Sequence, residues 1–527
     1  MGADPAEAEH GASTVTVHGY CVLPVAQIAR TIESGRAQDL VDAGGHFVIV
    51  HRGPDADTIV SSRSGIVGYF VTVGREVGRS DHGLDVATVV RNAHLGPAWN
   101  HEAVSDYLIF GHPLGTATIH PEVARLPCGA VVRIPERGAR QECVVPVPAP
   151  SQGDPPASPA GAVDALLDAV EQDVPGDCAL SMSGGLDSRL LLAACLALGR
   201  RPRLVISGIP GSFDREVATS IGQRLRLPLR VATVTADDVL GSLFSIASIT
   251  NGLIPADNWA GIAHLRSAPL GDAPVLIGFN GEIGRLYYAP RTGLGVLLTA
   301  RSVPRAGRAV LLGHRFESPF AAAEQRWLEP GLRAAMEPAA VAARLLKATG
   351  VPPPGGAFAM ADRLFAESYG RQKLGSDLAA IGSFTRWRTP MFGPGFVRRV
   401  RSLPLRWKAG DRFHRYAIAR LYRPLLDAPE EGYGPRTSGY VPARYWLCGP
   451  RPSRSPFFLD RAIFQDPRLL DLLVRHGDGL AGLVDPELAG LLAAEQAAAP
   501  RRPHAVFRLL ALALWSAASR DQIDAAR

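Results

Sequence analysis

The sequence predicts a two-part α/β protein, with a sheet-rich N-terminal part and a C-terminal part built on a parallel sheet and finished by helices. Three observations predict it. Short β-prone runs separated by turn residues fill roughly the first 145 positions. The stretch "VPVPAPSQGDPPASPAGAVD" (145–164) is dense in Pro, Ser and Gly, lacks an apolar period and reads as a linker. Beyond it, short apolar strands alternate with helices. The expected division is a domain over 1–145, a linker over 146–163 and a second domain over 164–527.

In the first part the strands are expected at "HFVIVHR" (46–52), "DTIVSSR" (57–63), "GYFVTVG" (68–74) and "GAVVRIP" (129–135). In the second, "DCALSM" leads into the helix "SRLLLAACLALG", closed by Gly199. "PRLVIS" (202–207) leads into a helix opening at Asp214, with Asp214 placed as its N-cap. "LRVATVT" (229–235) and "APVLIG" (273–278) are the next strands, and from about residue 300 the chain reads as mainly helical, ending in "VFRLLALALWSAA" (506–518). A doubly wound parallel sheet binds ligands outside the carboxyl ends of its strands, and the loops after the first, second and fourth of these strands all fall there.

Composition narrows the class. Hydrophobic residues make up 46% and charged residues 20% of 527 positions, as in ordinary globular proteins. The N-terminal "MGADPAEAEHGAS" is polar and acidic, and no apolar run reaches the about 18 residues of a membrane span, so a cytoplasmic protein without a membrane span is expected. Cys21, Cys128, Cys143, Cys178, Cys195 and Cys448 form no CxxC pair and read as buried thiols. The net charge of +6 comes almost wholly from arginine, since Lys347, Lys373 and Lys408 are the only lysines. Codon bias and an anion-binding surface both account for that.

The chemistry concentrates in "SMSGGLDS" (181–188), a turn between a buried strand and a helix. Gly184 and Gly185 let backbone approach a bulky anion, Ser183 and Ser188 add hydroxyl donors, and the N–H groups opening the next helix point at the same place. That is a phosphate cradle. Asp187 would repel polyphosphate unless a divalent cation bridges the two, so the stretch predicts a nucleotide polyphosphate with Mg²⁺. The GxxxxGK[ST] spacing of a Walker loop is absent.

"SGGLDS" resembles the pyrophosphate-binding loop of enzymes that split ATP into AMP and pyrophosphate. "GSFDREVATSIGQRL" (211–225), "VLIGFNGEIGR" (275–285), "RWRTPMFG" (386–393) and the Leu403–Pro404 pair resemble, in that order, segments of asparagine synthetases. The N-terminal "GGHFVIVHRG", "SSRSGIVGYFV" and "YLIFGHPLGTATIHPEVARLPCGAVVRI" resemble the core of class II glutamine amidotransferase domains. The resemblance spans most of residues 40–520 and implies an Ntn-type glutaminase-like domain joined to an ATP-pyrophosphatase synthetase domain. Glutaminase chemistry needs a cysteine made N-terminal by loss of Met1, but residue 2 is Gly and no NGE segment is present.

A degenerate glutaminase half resembles the branch of β-lactam-forming synthetases and lasso-peptide cyclases, which close an intramolecular amide. The departure at Phe279 and Asn280 from the family's "GEG" agrees with that branch. The resemblance implies ATP and Mg²⁺, adenylation of a side-chain carboxylate of a precursor peptide, and attack by that peptide's α-amine. A leader-removing peptidase and a leader-recognition protein are the implied partners, with no nucleic acid. Small-molecule amide synthesis, an inactive scaffold and a tRNA-acting relative are the alternatives, the last carrying the arginines between Arg386 and Arg423 as its footprint.

On this reading Ser183, Gly184, Gly185, Leu186, Asp187 and Ser188 hold phosphates, and backbone near Ser207 and Gly278 meets adenosine. Asp187 and Glu282 hold Mg²⁺. Lys373, Lys408 and Arg388 are the candidates for a catalytic cation, a solvated helix charge being the other reading of each. The family's lysine before a Gly-aromatic step is replaced here by Arg436, Thr437 and Ser438 ahead of Gly439. His414 is a candidate base with a structural alternative.

Overall fold

The computed structural model describes residues 6–10, 13–73, 78, 81–135, 140–146, 158–266, 271, 273–285, 319–320, 324–349, 362–428, 463, 465–498 and 503–524. Cys448 and the step from Arg436 to Gly439 lie outside them, as do residues 147–157 of the expected linker.

The described chain is a mixed α/β structure with an antiparallel sheet, a parallel sheet and many helices. Six N-terminal strands form the antiparallel sheet in the order β1 (Ala6–His10), β2 (Ser13–Cys21), β3 (Gly45–Arg52), β4 (Ala56–Ser61), β8 (Ala130–Pro135), β9 (Gln141–Val144). Along β3, Phe47 and Ile49 pack with Val15, Val17 and Ile28 and Ile32 of helix α1 (Val25–Glu33). Val48 and Val50 turn the other way, onto Tyr69 and Val71. Both faces of the strand are therefore covered, which is why "HFVIV" carries apolar residues without alternation. The second cover includes a three-stranded sheet of β6 (His82–Gly83), β5 (Phe70–Thr72) and β7 (Val123–Arg125).

The parallel sheet has the order β12 (Leu229–Ala232), β11 (Arg203–Ser207), β10 (Ala179–Ser181), β13 (Val275–Leu276), β14 (Trp387–Arg388). Every pairing in it is parallel. Winding runs outward from β10 to β12 on one side and from β13 to β14 on the other, so the direction reverses at β10. Binding crevices open where strand order reverses, outside the carboxyl ends. The expected strand at 229–235 stops at Ala232, because Thr235 leaves the sheet to accept the backbone N–H of Asp238 as a helix cap.

Helix α4 (Pro159–Asp173) begins at a Ser158 cap, and α5 (Leu186–Ala197) follows the loop after β10. The α5 run from Leu190 to Cys195 is buried all round, as its continuous apolar sequence requires. Helix α6 (Phe213–Leu225) corrects one expectation: Ser212, not Asp214, occupies the N-cap, without a side-chain capping bond. Asp214 sits in the first turn with its carboxylate turned elsewhere. The C-terminal helices Pro467–Arg475, Pro486–Ala498 and Pro503–Asp524 pack on one another. Among the described residues, no helix is long and apolar enough to cross a membrane.

The N-terminal sheet meets the parallel sheet through His46 on β3. Its Nδ1 lies 3.0 Å from Ser64 Oγ and its Nε2 3.1 Å from the carbonyl of Thr389, just past β14. The ring is fully buried between Trp387, Tyr20 and Phe392. Burial pushes its pKa down to about 4. Between about 4 and 6.5 the unfolded chain therefore takes up a proton that the folded chain refuses, so stability falls as pH drops through that window. Keeping the buried imidazole neutral corresponds to about 3 kcal/mol by pH 4. Urea unfolding of wild type and His46→Gln at pH 7.5 and 4.5 checks this, with the pH slope expected to flatten in the variant.

Candidate functional site

The loop Ser183–Ser188 is built from its own hydroxyls. Ser188 Oγ accepts from the Ser183 N–H at 3.1 Å and lies 3.0 Å from Ser183 Oγ, while Gly185 N–H donates to Ser183 Oγ at 3.2 Å. Gly184 N–H donates to Asp214 Oδ1 at 2.7 Å. The carboxylate expected to cap its own helix instead holds the neighbouring strand's loop. Fully buried Arg189 donates to the Gly184 carbonyl at 2.7 Å and to that of Ala428 at 3.1 Å, tying the loop's outer side to the end of the helical segment 412–427.

Asp187 projects from the first turn of α5 into a cluster of charges. Arg285 Nη2 donates to its Oδ2, His414 Nε2 lies 2.9 Å from its Oδ1, and Arg285 Nε lies 3.8 Å from Asp411 Oδ1. Burial alone would raise the Asp187 pKa, but the guanidinium and the imidazole outweigh it and hold the carboxylate ionised. Glu282, in the single helical turn Gly281–Gly284, is shifted the opposite way, first by burial and then by the charge of Asp187. Its Oε2 is buried without a hydrogen-bond partner.

Glycines make this convergence possible. A Cβ on Gly281 would stand 2.2 Å from Asp187 Oδ1, and one on Gly278 would stand 3.1 Å from the backbone nitrogen of Ser188. Gly278 thus brings the end of β13 against the start of α5. Ser207 ends β11 on the same edge of the sheet and is buried.

The three expected cations lie elsewhere. Lys373 Nζ pairs with Asp377 at 2.5 Å, Lys408 with Asp362, and Arg388 donates to the Asp173 carbonyl at 3.0 Å while stacking 3.9 Å over the Tyr20 ring. The cation that does meet Asp187 is Arg285. It closes the stretch "VLIGFNGEIGR", in which the sequence reading gives roles to Gly278 and Glu282 but not to the arginine, and only the fold shows that the arginine turns back onto α5. His414, on the helix Arg412–Tyr422, joins it from 227 positions beyond Asp187.

Asp187 and Glu282 suit a cation carried in on phosphate. Mg²⁺ typically takes one or two carboxylates and completes its shell with substrate phosphates and water rather than a protein cage. Among the described residues no group of three or more His, Cys, Asp or Glu is placed to hold a metal. The orphaned Glu282 oxygen beside an ionised aspartate is what such a cation would neutralise.

On the far side of the same turn lies a cavity of about 740 Å³. Asn280 and Ile283 form one wall, α4 and the helix Pro394–Arg401 others, and His46, Ser64 and Cys128 the N-terminal side. Asn280 is held in a left-handed backbone conformation (φ 74°) with its amide donating to the Met391 carbonyl at 2.8 Å. Neither a family model nor a curated protein matches the chain.

Proposed function

We propose that the protein is an ATP-dependent, AMP-forming amide ligase of the asparagine synthetase type, with a degenerate glutaminase-like N-terminal domain, and that it closes a macrolactam within a peptide as lasso-peptide cyclases do. The observation that carries this reading is the meeting of the Ser183–Ser188 loop, Asp187 and Glu282 at the point where strand order reverses in the parallel sheet.

Bound Mg·ATP would supply the α-phosphorus that a carboxylate oxygen attacks, pyrophosphate leaving first and AMP leaving when the amine attacks the activated carbonyl and gives up its proton. The chain's own residues do the rest. Loop N–H groups and the Ser183 hydroxyl bind phosphate oxygens, with the start of α5 adding its positive end. Asp187 and Glu282 hold the cation. Arg285, drawn from Asp187 towards the phosphates, offsets charge developing on the leaving group, a role for which preorganised donors are the usual device. His414 and Asp411 orient Asp187 and Arg285. With the N-terminal domain read as degenerate, the nitrogen on this reading comes from the substrate's own amine.

The cavity of about 740 Å³ favours a second reading, a ligase for a small amino-acid-like substrate, because pockets of about 300–1,000 Å³ enclose small ligands. The deciding experiment combines purified protein, Mg·ATP and a candidate core peptide supplied with its leader-removing partners, read by mass spectrometry and nucleotide chromatography. The expected product is a peptide lighter by one water, with stoichiometric AMP. AMP without a change in the peptide would favour the small-molecule ligase, and no AMP with any amine and carboxylate pair would leave a scaffold.

A further inference from the structure

We infer that the cavity beside the Asn280–Ile283 turn binds a zwitterion, with Arg371 taking its carboxylate and Glu367 its amine; this rests on the ligase reading, for which it names the substrate class. Arg371 and Glu367 both line the cavity and are both half-buried, yet neither makes a hydrogen bond or ion pair with another described residue. Two charges of opposite sign that line one cavity without partners among the described residues suit a ligand that pairs both. They do not satisfy each other although they lie four positions apart on one helical stretch.

That stretch supplies the second observation. Phe365–Lys373 is wound as a π-helix over nine residues, a geometry seen mostly as single-turn bulges and frequently at functional sites. It packs directly on the turn that carries Glu282: a Cβ on Gly370 would lie 3.9 Å from Asn280 Oδ1. Ligand held by the π-helix is thereby held next to the residues assigned to ATP.

The charge of the lining is divided in a way that fits a ligand carrying both signs. Arg63 and Asp42 are already paired at 2.8 Å, and Asp173 accepts from the Tyr20 hydroxyl at 3.2 Å. Arg371, Arg398 and Arg401 remain as cations, and Glu367 and Asp168 as acids. A plain anion would meet Glu367, and a plain amine would meet the arginines. A molecule with a free amine and a free carboxylate satisfies both, and those are the two groups an intramolecular amide ligase joins.

The test uses the full chain and the tetrapeptide amide Gly-Gly-Gly-Glu-NH2, with its N-acetyl form and its Gln analogue, read by saturation-transfer NMR and calorimetry. Wild type is expected to prefer the parent at least tenfold over both analogues. Arg371→Gln should erase the preference over the Gln analogue, Glu367→Gln the preference over the acetylated form, and Arg371→Lys should keep part of the first. Melting curves and ATP binding of the variants show that the fold is retained. No binding of the parent, or preferences that survive both substitutions, would overturn the assignment. Preferences as expected without AMP formation would sustain the pocket and remove the ligase. AMP formation with kinetics unchanged in both Gln variants would do the reverse.

Discussion

On the ligase proposal Asp187→Asn is expected to end AMP release, and it should also lower stability, because removing one partner of a half-buried ion pair leaves the other uncompensated. The two effects have separate causes. Arg285 donates to one oxygen of Asp187 and His414 meets the other, so the substitution leaves the half-buried guanidinium with only the more distant Asp411 as a partner among the described residues. It also removes the charge assigned to the cation, and loss of a preorganised electrostatic partner of this kind costs about 10²–10³ in rate. A double variant with Arg285→Gln separates them. Its melting temperature should recover part of the loss while AMP release stays at background. Wild-type AMP release by Asp187→Asn would remove the loop from the chemistry altogether.

Gly281→Ala is the second large effect, and it works through position rather than charge. The added methyl would stand 2.2 Å from Oδ1 and 2.6 Å from Cγ of Asp187, closer than atoms can sit. Asp187 cannot swing aside without leaving Arg285 and His414. Overpacking of this kind costs about 1–3 kcal/mol. Misplacing a reacting group by about 1 Å costs about 10²-fold in rate. The variant should therefore fold, melt a few degrees early and lose far more activity than stability. Thermal denaturation and AMP release on one preparation check both, and undiminished turnover would show that Asp187 tolerates displacement.

What the sequence revealed of this arrangement was its local half. "SMSGGLDS" between an apolar strand and an apolar helix announces its turn because every residue that shapes it locally lies within eight positions. The strands around it are legible for the same reason. Arg285 and His414 are not, since nothing in "EIGR" or "DRFHRY" says which way the side chain turns until β13 and the helix Arg412–Tyr422 are packed against α5. Asp214 shows the failure from the other side. Its residue type and position suit a helix cap, but a strand neighbour's unpaired N–H at Gly184 is a stronger claimant. Lys373 and Lys408 stand out in the sequence as rare lysines, whereas the fold gives each an aspartate partner.

The burial of His46 between the sheets bears on how the chain can be divided. Ile66 and Phe70 from the N-terminal part belong to the same apolar core as Leu190 and Leu276 from the parallel-sheet part. Cutting the gene near residue 158 would leave each fragment with a raw apolar wall and would strip β14 of the imidazole that braces Thr389. The halves are accordingly one cooperative unit, melting in a single calorimetric transition, and co-expression of the two fragments should rescue solubility that neither has alone.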